Sequence, residues 1–199
     1  STLAEMAKAA ADYGLEVLAV TEHGPQLPGS CHPMYFCNFK AVDRHIFGVE
    51  LLLGCEADIV DYEGALDLEV KDLKRIDIVL ASMHPQCYTP GSRAENTRAY
   101  CLALENPYVD IIGHADDGRM PTDYDELARQ AKAAGKLLEL NNSSLLPGCG
   151  RENGYENMKQ ILKACERHGA FVTLGSDAHF FDRVGRFEEV QAVLDEVRF

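Results

Sequence analysis

The segment from Phe171 to His179 ends an apolar run with a carboxylate and an imidazole two positions apart. Four apolar or β-favouring residues lead into Gly175, which is typical of a buried strand followed by a turn. In extended backbone, side chains two positions apart point the same way, so Asp177 and His179 can address one point. An oxygen and a nitrogen donor at a strand end can form half of a metal site. The alternative is a helix N-cap, in which Ser176 or Asp177 accepts from free backbone amides.

Other polar side chains stand immediately after apolar runs elsewhere in the chain. They are His23, Glu56, His84, His114 and Asn141, with His32 as a less secure loop candidate. Imidazole and carboxylate together suit Zn, Mn or Fe, and a site with an open position makes hydroxide available near neutral pH. Glu56 is the candidate for a carboxylate that bridges metals and so helps them bind a phosphate. A single histidine after a strand is usually an ordinary loop residue, but several such strand ends together are hard to attribute to chance.

The elements that must position these side chains alternate along the chain between apolar runs and amphipathic helices. Strands are predicted over 15–20, 49–55, 76–82, 108–112, 136–140 and 171–174, and helices over 1–13, 96–104, 121–134, 153–168 and 187–197. Such alternation indicates βαβ units and a parallel sheet. A barrel gathers all its strand ends around one mouth, whereas an open sheet spreads them along a line. The polar strand ends therefore favour a barrel.

Composition sets the outer limits. The chain has 199 residues, 46% of them hydrophobic and 26% charged, as expected for one soluble globular domain. A formal charge of −13 argues against binding to a nucleic-acid backbone, and no apolar run approaches the roughly 20 residues of a membrane span. Seven scattered cysteines without a CxxC pair predict reduced thiols and a cytoplasmic location.

Several residues near these motifs have simpler explanations. His168 precedes a helix-ending glycine and is favoured there by the helix dipole. His45 is interpreted as a loop or core residue, and Cys55 as core. Asp116 and Asp117, which follow His114, are expected to be solvated. The sequence has no GxGxxG, P-loop lysine or GxSxG motif, so nucleotide-binding and serine-hydrolase functions have no support.

In order and spacing, six short motifs resemble the PHP (polymerase and histidinol phosphatase) superfamily. They are Thr21-Glu22-His23-Gly24-Pro25, Gly54-Cys55-Glu56, Ser82-Met83-His84, Gly113-His114, Glu139-Leu140-Asn141-Asn142-Ser143-Ser144 and Gly175-Ser176-Asp177-Ala178-His179. The last two look most like the YcdX-like phosphatase branch. The resemblance implies a distorted (β/α)₇ TIM-like barrel (PHP fold) and a single phosphoesterase domain over residues 1–199.

The resemblance also implies a trinuclear cluster of Zn²⁺, with Mn²⁺ or Fe as alternatives, and hydrolysis of a small phosphomonoester by a metal-bound hydroxide. Glu56, His84 and His114 would hold one metal, and Glu56 would bridge to a second that Asp177 also binds. His23 and His179 would hold the third. Glu56, Asp177 and His179 are the predicted catalytic residues. The expected partner is a small phosphorylated substrate, and neither a nucleic acid nor a membrane is expected to bind. Whether the protein forms an oligomer is left open.

The chain departs from the family pattern at its start. The family opens with a strand that carries a His-x-His pair, and this chain begins where the following helix would start. The first strand is therefore expected to be missing, and the opened barrel to expose apolar edges that lower stability or recruit a pairing partner. Candidates for phosphate contacts are Arg93, Arg119 and Arg151. Two alternatives remain: an amidohydrolase-type hydrolase of C–N or lactone bonds, and a non-catalytic metal-binding PHP domain.

Overall fold

A computed structural model describes all 199 residues as an α/β fold with helices packed on a curled parallel sheet. The strands are β1 (Val17–His23), β2 (His45–Ile46), β3 (Val49–Asp58), β4 (Ile78–Ser82), β5 (Ile111–Ile112), β6 (Leu137–Asn141) and β7 (Phe171–Gly175). The helices are α1 (Leu3–Tyr13), α2 (Val70–Leu73), α3 (Arg93–Glu105), α4 (Tyr124–Ala134), α5 (Gly154–His168) and α6 (Glu188–Val197). No helix combines the length and the apolar character that crossing a bilayer requires.

The strand order follows the chain. Six strands pair in parallel in the order β1-β3-β4-β5-β6-β7, and the two-residue β2 pairs antiparallel with β3. Sequential order without a switch point is the order of a barrel. The sheet is open between β1 and β7, yet it curls enough to bring the ring centroids of His23, which ends β1, and His179, which follows β7, to within 5.8 Å of each other. The predicted TIM-like fold is confirmed as a curled half-barrel whose sheet does not close between β1 and β7.

Alternation along the strands separates the core from the inner face. In β6, Leu138 and Leu140 belong to the apolar core, whereas Glu139 and Asn141 share the opposite face and contact each other. The helices cover the outer face, and α1 does so through the buried Ala7 and Ala10. The seven thiols are all unpaired, as predicted, and Cys55 is fully buried in the core.

Both edge strands expose apolar side chains. Val17 on β1 is 48% exposed and Phe171 on β7 is 66% exposed, whereas strands inside the sheet are mostly buried. Unpaired strand edges are templates for further pairing. The expected apolar edges are therefore present, and the lower stability or pairing partner they imply stays a prediction.

Helix boundaries follow their capping residues. Thr2 and Glu5 form the predicted capping box of α1, and Gly14, at φ +88°, ends that helix. Helix α4 begins at Tyr124, three residues after its predicted start, because the Asp123 side chain accepts from the amides of Asp125 and Glu126. The loop after β1 contains the 3₁₀ helix Pro33–Ala41.

Asp116 and Asp117 were expected to be solvated, and that expectation is wrong. Both are buried: Ser144 donates to Asp116, and Arg119 donates to Asp117 in an ion pair of 2.6 Å. Asp117 also accepts from the Glu152 amide at 3.3 Å, while the Glu152 carbonyl accepts from the Gly118 amide. This network ties the segment after β5 to the loop before α5. Arg119, a predicted phosphate contact, is committed to Asp117.

Gly54 allows β3 and β4 to pair closely. A methyl group at this position would lie 2.1 Å from the Ile78 carbonyl oxygen, and the backbone of a buried strand cannot move aside easily. We expect Gly54→Ala to lower the free energy of unfolding, measured by urea titration, by about 1–3 kcal/mol. The matched control is Gly150→Ala, because its methyl group would meet only Arg119 Nη1 at 3.9 Å. Equal stabilities for the two variants would contradict this account.

The Asp117–Arg119 pair predicts an acid-sensitive contribution to stability. Burial opposes ionisation, but hydrogen bonds from Arg119 and from the backbone hold the pKa of Asp117 below its ordinary value. A lowered folded-state pKa contributes stability above the unfolded value of about 3.9, which is lost as the pH falls below it. We expect Asp117→Asn to cost about 1–3 kcal/mol at pH 7 and to flatten the stability profile below about pH 4.

The measurement is urea unfolding from neutral to acidic pH. Asp182→Asn is the control, because that aspartate is exposed. If the stability of Asp117→Asn varies with pH in parallel with that of the wild-type protein, the Asp117–Arg119 pair is not the source of the acid sensitivity.

Candidate metal centre

The carboxyl ends of the parallel strands meet at one mouth of the half-barrel, and each supplies polar side chains. His23 ends β1, Glu56 and Asp58 end β3, His84 and His114 follow β4 and β5 by two residues, Asn141 ends β6, and Asp177 and His179 follow β7. Parallel strands end at a common edge, so side chains distant in the sequence become neighbours. Glu56, His84, His114 and Asp177 share this mouth rather than lying on separate faces.

Glu56 lies at the centre of three imidazoles. Its Oε1 is 2.8 Å from His114 Nε2 and 3.6 Å from His84 Nε2, and its Oε2 is 3.1 Å from His23 Nδ1. The His84 and His114 Nε2 atoms are 3.2 Å apart. Two nitrogens at that distance need a proton between them, or a cation that accepts both lone pairs.

The donor set fits a divalent transition metal. Ligand atoms of His23, Glu56 and His84 all lie within 4.8 Å of one another. His23 Nδ1 is buried and makes no well-aligned hydrogen bond, although it lies close to the Glu56 carboxylate. Two imidazoles and one carboxylate are ligands that Zn, Mn and Fe accept. A metal-capable group therefore stands where three predicted ligands meet.

Charge is concentrated on Glu56. Burial would raise its pKa, but contacts with His114 and His23 hold the pKa of this carboxyl well below its ordinary value. The same contact acts in the opposite direction on the imidazole, because the Glu56 carboxylate raises the pKa of His23. For His114, burial and the Arg151 charge act downward, yet the contact with Glu56 raises its pKa overall. The centre thus holds an ionised carboxylate that attracts positive charge.

Asp177 forms the other side of the mouth. Its backbone is left-handed, with φ +52°, and its Oδ2 accepts from Arg151 Nη2 at 2.9 Å and from Asn141 Nδ2 at 3.3 Å. Burial opposes its ionisation, but Arg151 lowers the pKa of Asp177 overall. His179 lies at the rim, with its side chain 75% exposed and its Nδ1 3.6 Å from Asp177 Oδ1. The two side chains therefore lie close together, although Asp177 is not in the extended backbone on which that expectation from the sequence was based.

Glu139 was quoted in a motif but given no role, and it supports the centre from β6. Its Oε2 accepts from the His114 amide at 2.8 Å and from Asn141 Nδ2 at 3.2 Å, which holds His114 in a backbone with φ +26°. Burial raises the pKa of Glu139 to about 7. Gly175 makes room, because a methyl group there would lie 1.8 Å from Glu139 Oε1.

Asp58 is the other residue of the site that was not predicted. Its side chain is fully buried, and its Oδ1 lies 2.7 Å from His84 Nδ1, the nitrogen that faces away from Glu56. A usable signal existed: Asp58 stands two positions after Glu56 on the same strand, so both carboxylates point to the same face.

The remaining histidines and one arginine lie elsewhere. His32 is exposed and caps the Pro33–Ala41 helix, and His45 is exposed on β2. His168 ends α5, and its Nε2 lies 3.1 Å from Oδ1 of Asp125 in α4. Arg93 is exposed at the first position of α3 and lines a groove with Thr97 and Asp123, so it is not part of the mouth.

Known proteins resemble this chain over nearly its whole length. A family model described as PHP domain matches residues 1–145. A protein named probable phosphatase from Clostridium novyi is 44% identical over 197 residues, which cover 99% of this chain and 80% of that protein. Another probable phosphatase, from Caldicellulosiruptor bescii, is 41% identical over 199 residues, or all of this chain and 82% of the relative.

Two solved structures share the fold at low sequence identity. The histidinol phosphate phosphatase from Lactococcus lactis, solved with zinc, L-histidinol and phosphate, superposes with a TM-score of 0.62 at 16% identity and covers all of this chain and 88% of that one. A chain of an archaeal ribonuclease P bound to mature tRNA gives 0.65 at 18% identity, over 99% of this chain and 80% of that one. At these identities the likeness concerns the fold alone. The family-model match and the close relatives show that this chain belongs to the PHP domain family.

Proposed function

We propose that this protein is a metal-dependent phosphoesterase that hydrolyses a small phosphomonoester. The observation that carries the proposal is the buried, ionised Glu56 in contact with three imidazoles at the mouth. Relatives at 39–44% identity are named probable phosphatases, which supports phosphoester hydrolysis over the other reaction classes. Zn²⁺ is the proposed metal, with Mn²⁺ or Fe as alternatives, since all three accept imidazole and carboxylate.

The proposal gives each residue at the mouth a task. Glu56, His84 and His114 would hold one cation. Glu56 would also contribute to a second cation, which Asp177 would bind. His23 and His179 would bind the third. Bound cations lower the pKa of water and neutralise phosphoryl oxygens, which supplies a nucleophile and stabilises the transition state. Glu56, Asp177 and His179 remain the proposed catalytic residues.

Arg151 is the proposed phosphate contact. Its side chain is only 14% exposed, and it donates to Asp177, Asn141 and Ser144. A guanidinium can donate to several oxygens at once in a fixed fork, a geometry that suits phosphate. The chain carries a net charge of −13, so an anionic substrate needs a local source of positive charge, and Arg151 supplies one beside Asp177.

The function is tested by p-nitrophenyl phosphate hydrolysis with the full chain, after metal removal and after addition of Zn²⁺ or Mn²⁺. We expect turnover only with metal. Glu56→Gln removes the charge that three imidazoles contact, so its kcat/KM should fall further than the roughly 10- to 100-fold typical of residues that support ligands. Asp77→Asn is the control. Asp77 accepts a hydrogen bond from the Leu53 amide and precedes β4, at the end of the sheet opposite the mouth.

Each outcome separates the candidate functions. Metal-independent turnover, or full activity of Glu56→Gln, would refute the proposal. Cleavage of an amide or lactone panel without phosphate release would favour an amidohydrolase-type activity. Absence of turnover on phosphate esters, amides and lactones, with or without added metal, would favour a non-catalytic domain.

Substitution of Arg151 should affect substrate binding more than chemistry. We expect Arg151→Gln to raise the KM for the phosphate ester about tenfold, a loss of about 1.4 kcal/mol, with a smaller change in kcat. Arg151→Lys should restore part of the affinity, since it keeps the charge but loses the fork. An unchanged KM with normal metal content would show that Arg151 acts only on Asp177.

A further inference from the structure

The end of β3 carries two carboxylates rather than one. Glu56 and Asp58 are two positions apart in an extended strand, so both point toward the mouth. Glu56 faces the imidazole cluster directly, whereas Asp58 lies beneath it, with no exposed surface. Asp58 pairs in register with Ser82 of β4, and His84 follows two residues later. The strand pairing therefore puts Asp58 beside the backbone that carries His84.

His84 bridges the two carboxylates through its two ring nitrogens. Its Nδ1 lies 2.7 Å from Asp58 Oδ1, while its Nε2 lies 3.6 Å from Glu56 Oε1 and 3.2 Å from His114 Nε2. An ionised carboxylate can only accept a hydrogen bond, so the proton belongs on Nδ1. The lone pair then lies on Nε2, the atom that faces the centre.

We propose that Asp58 is a positioning residue that fixes the tautomer and the ring orientation of His84 for metal binding. The inference deepens the proposed function, because it assigns a supporting group to one ligand of the same centre. Carboxylates that hold the second nitrogen of a ligating histidine are a general device for orienting the ring and raising its basicity. Asp58 would not touch the substrate or the reacting atoms.

The surroundings of Asp58 fit a fixed support. Its amide donates to Asp67 Oδ1 at 2.9 Å and its carbonyl accepts from the Asp67 amide at 3.0 Å, so the backbone is held on both sides. The His84 ring contacts Oδ1, and Oδ2 has no well-aligned hydrogen bond, although the Cys87 thiol lies near the carboxylate. A buried carboxylate with one partner is costly unless positive charge lies close by. A cation on His84 Nε2 would supply that charge through the ring.

The tautomer can be measured without metal or activity. Two-bond ¹⁵N–¹H correlation spectra of the full chain, recorded metal-free at alkaline pH, distinguish Nδ1–H from Nε2–H, and Gln in place of His84 (H84Q) assigns the signal. We expect the Nδ1–H form in the wild-type protein and loss of that preference in Asp58→Ala. Asp58→Asn keeps an acceptor oxygen and should retain the Nδ1–H form. An Nε2–H signal for His84 in the wild-type protein would overturn the proposal.

Metal affinity gives the second readout. Titrations with Zn²⁺ and Co²⁺ should show a 10- to 100-fold loss for Asp58→Ala and a smaller loss for Asp58→Asn. Asp77→Asn, which removes a carboxylate at the opposite end of the sheet, should bind as the wild-type protein does. Far-ultraviolet circular dichroism checks that each variant is folded.

The outcomes are decisive even if one variant fails to fold. Affinity within twofold of wild type in folded Asp58→Ala would overturn the proposal, and if that variant unfolds, the tautomer of His84 in the wild-type protein decides it. Neither readout uses a phosphate ester. Failure of the phosphoesterase assay would therefore leave the role of Asp58 standing or falling on its own evidence.

Discussion

The structure depends on the placement of one ionised carboxylate, Glu56, inside a protein mouth. A carboxylate removed from water is costly unless charge or hydrogen bonds compensate it. Here the compensation comes from the imidazoles of His23, His84 and His114, which lie at the carboxyl ends of β1, β4 and β5. A group of this kind is stable only if several elements are fixed relative to one another. The position of Glu56 therefore links the stability of the fold to the chemistry that we propose for it.

The order of the sheet makes this placement simple. Because the strands pair in chain order, each strand end contributes its residues to the mouth beside the previous one. Each supporting carboxylate comes from the strand next to the one that carries its histidine: Asp58 of β3 contacts His84 after β4, and Glu139 of β6 accepts from the amide of His114 after β5. Alternation does the rest, because every second residue of a strand points to the inner face. A short polar–apolar–polar sequence at a strand end is thus enough to place a ligand and its neighbour.

Much of this could be predicted from the sequence, and the limits have physical causes. The strand ends and the common position of Glu56, His84 and His114 follow from apolar runs and parallel pairing. The burial of Asp117 does not, because a polar residue after a strand looks the same whether it meets water or an arginine from the same turn. Asp58 was missed since β3 extends three residues beyond Cys55, where its apolar run ends. Its continuation depends on pairing with β4, which no local pattern records.

Two of the residues at the mouth occupy backbone conformations that side chains usually avoid. His114 has φ +26° and Asp177 has φ +52°, and each such residue costs on the order of 1–3 kcal/mol. That energy is recovered only when neighbouring groups hold the turn, as Glu139 does for His114. A turn held in this way has already given up its conformational freedom before any ligand arrives. The entropic penalty of association is thereby moved from the binding event to folding, which favours tighter binding of the ligands that these residues accept.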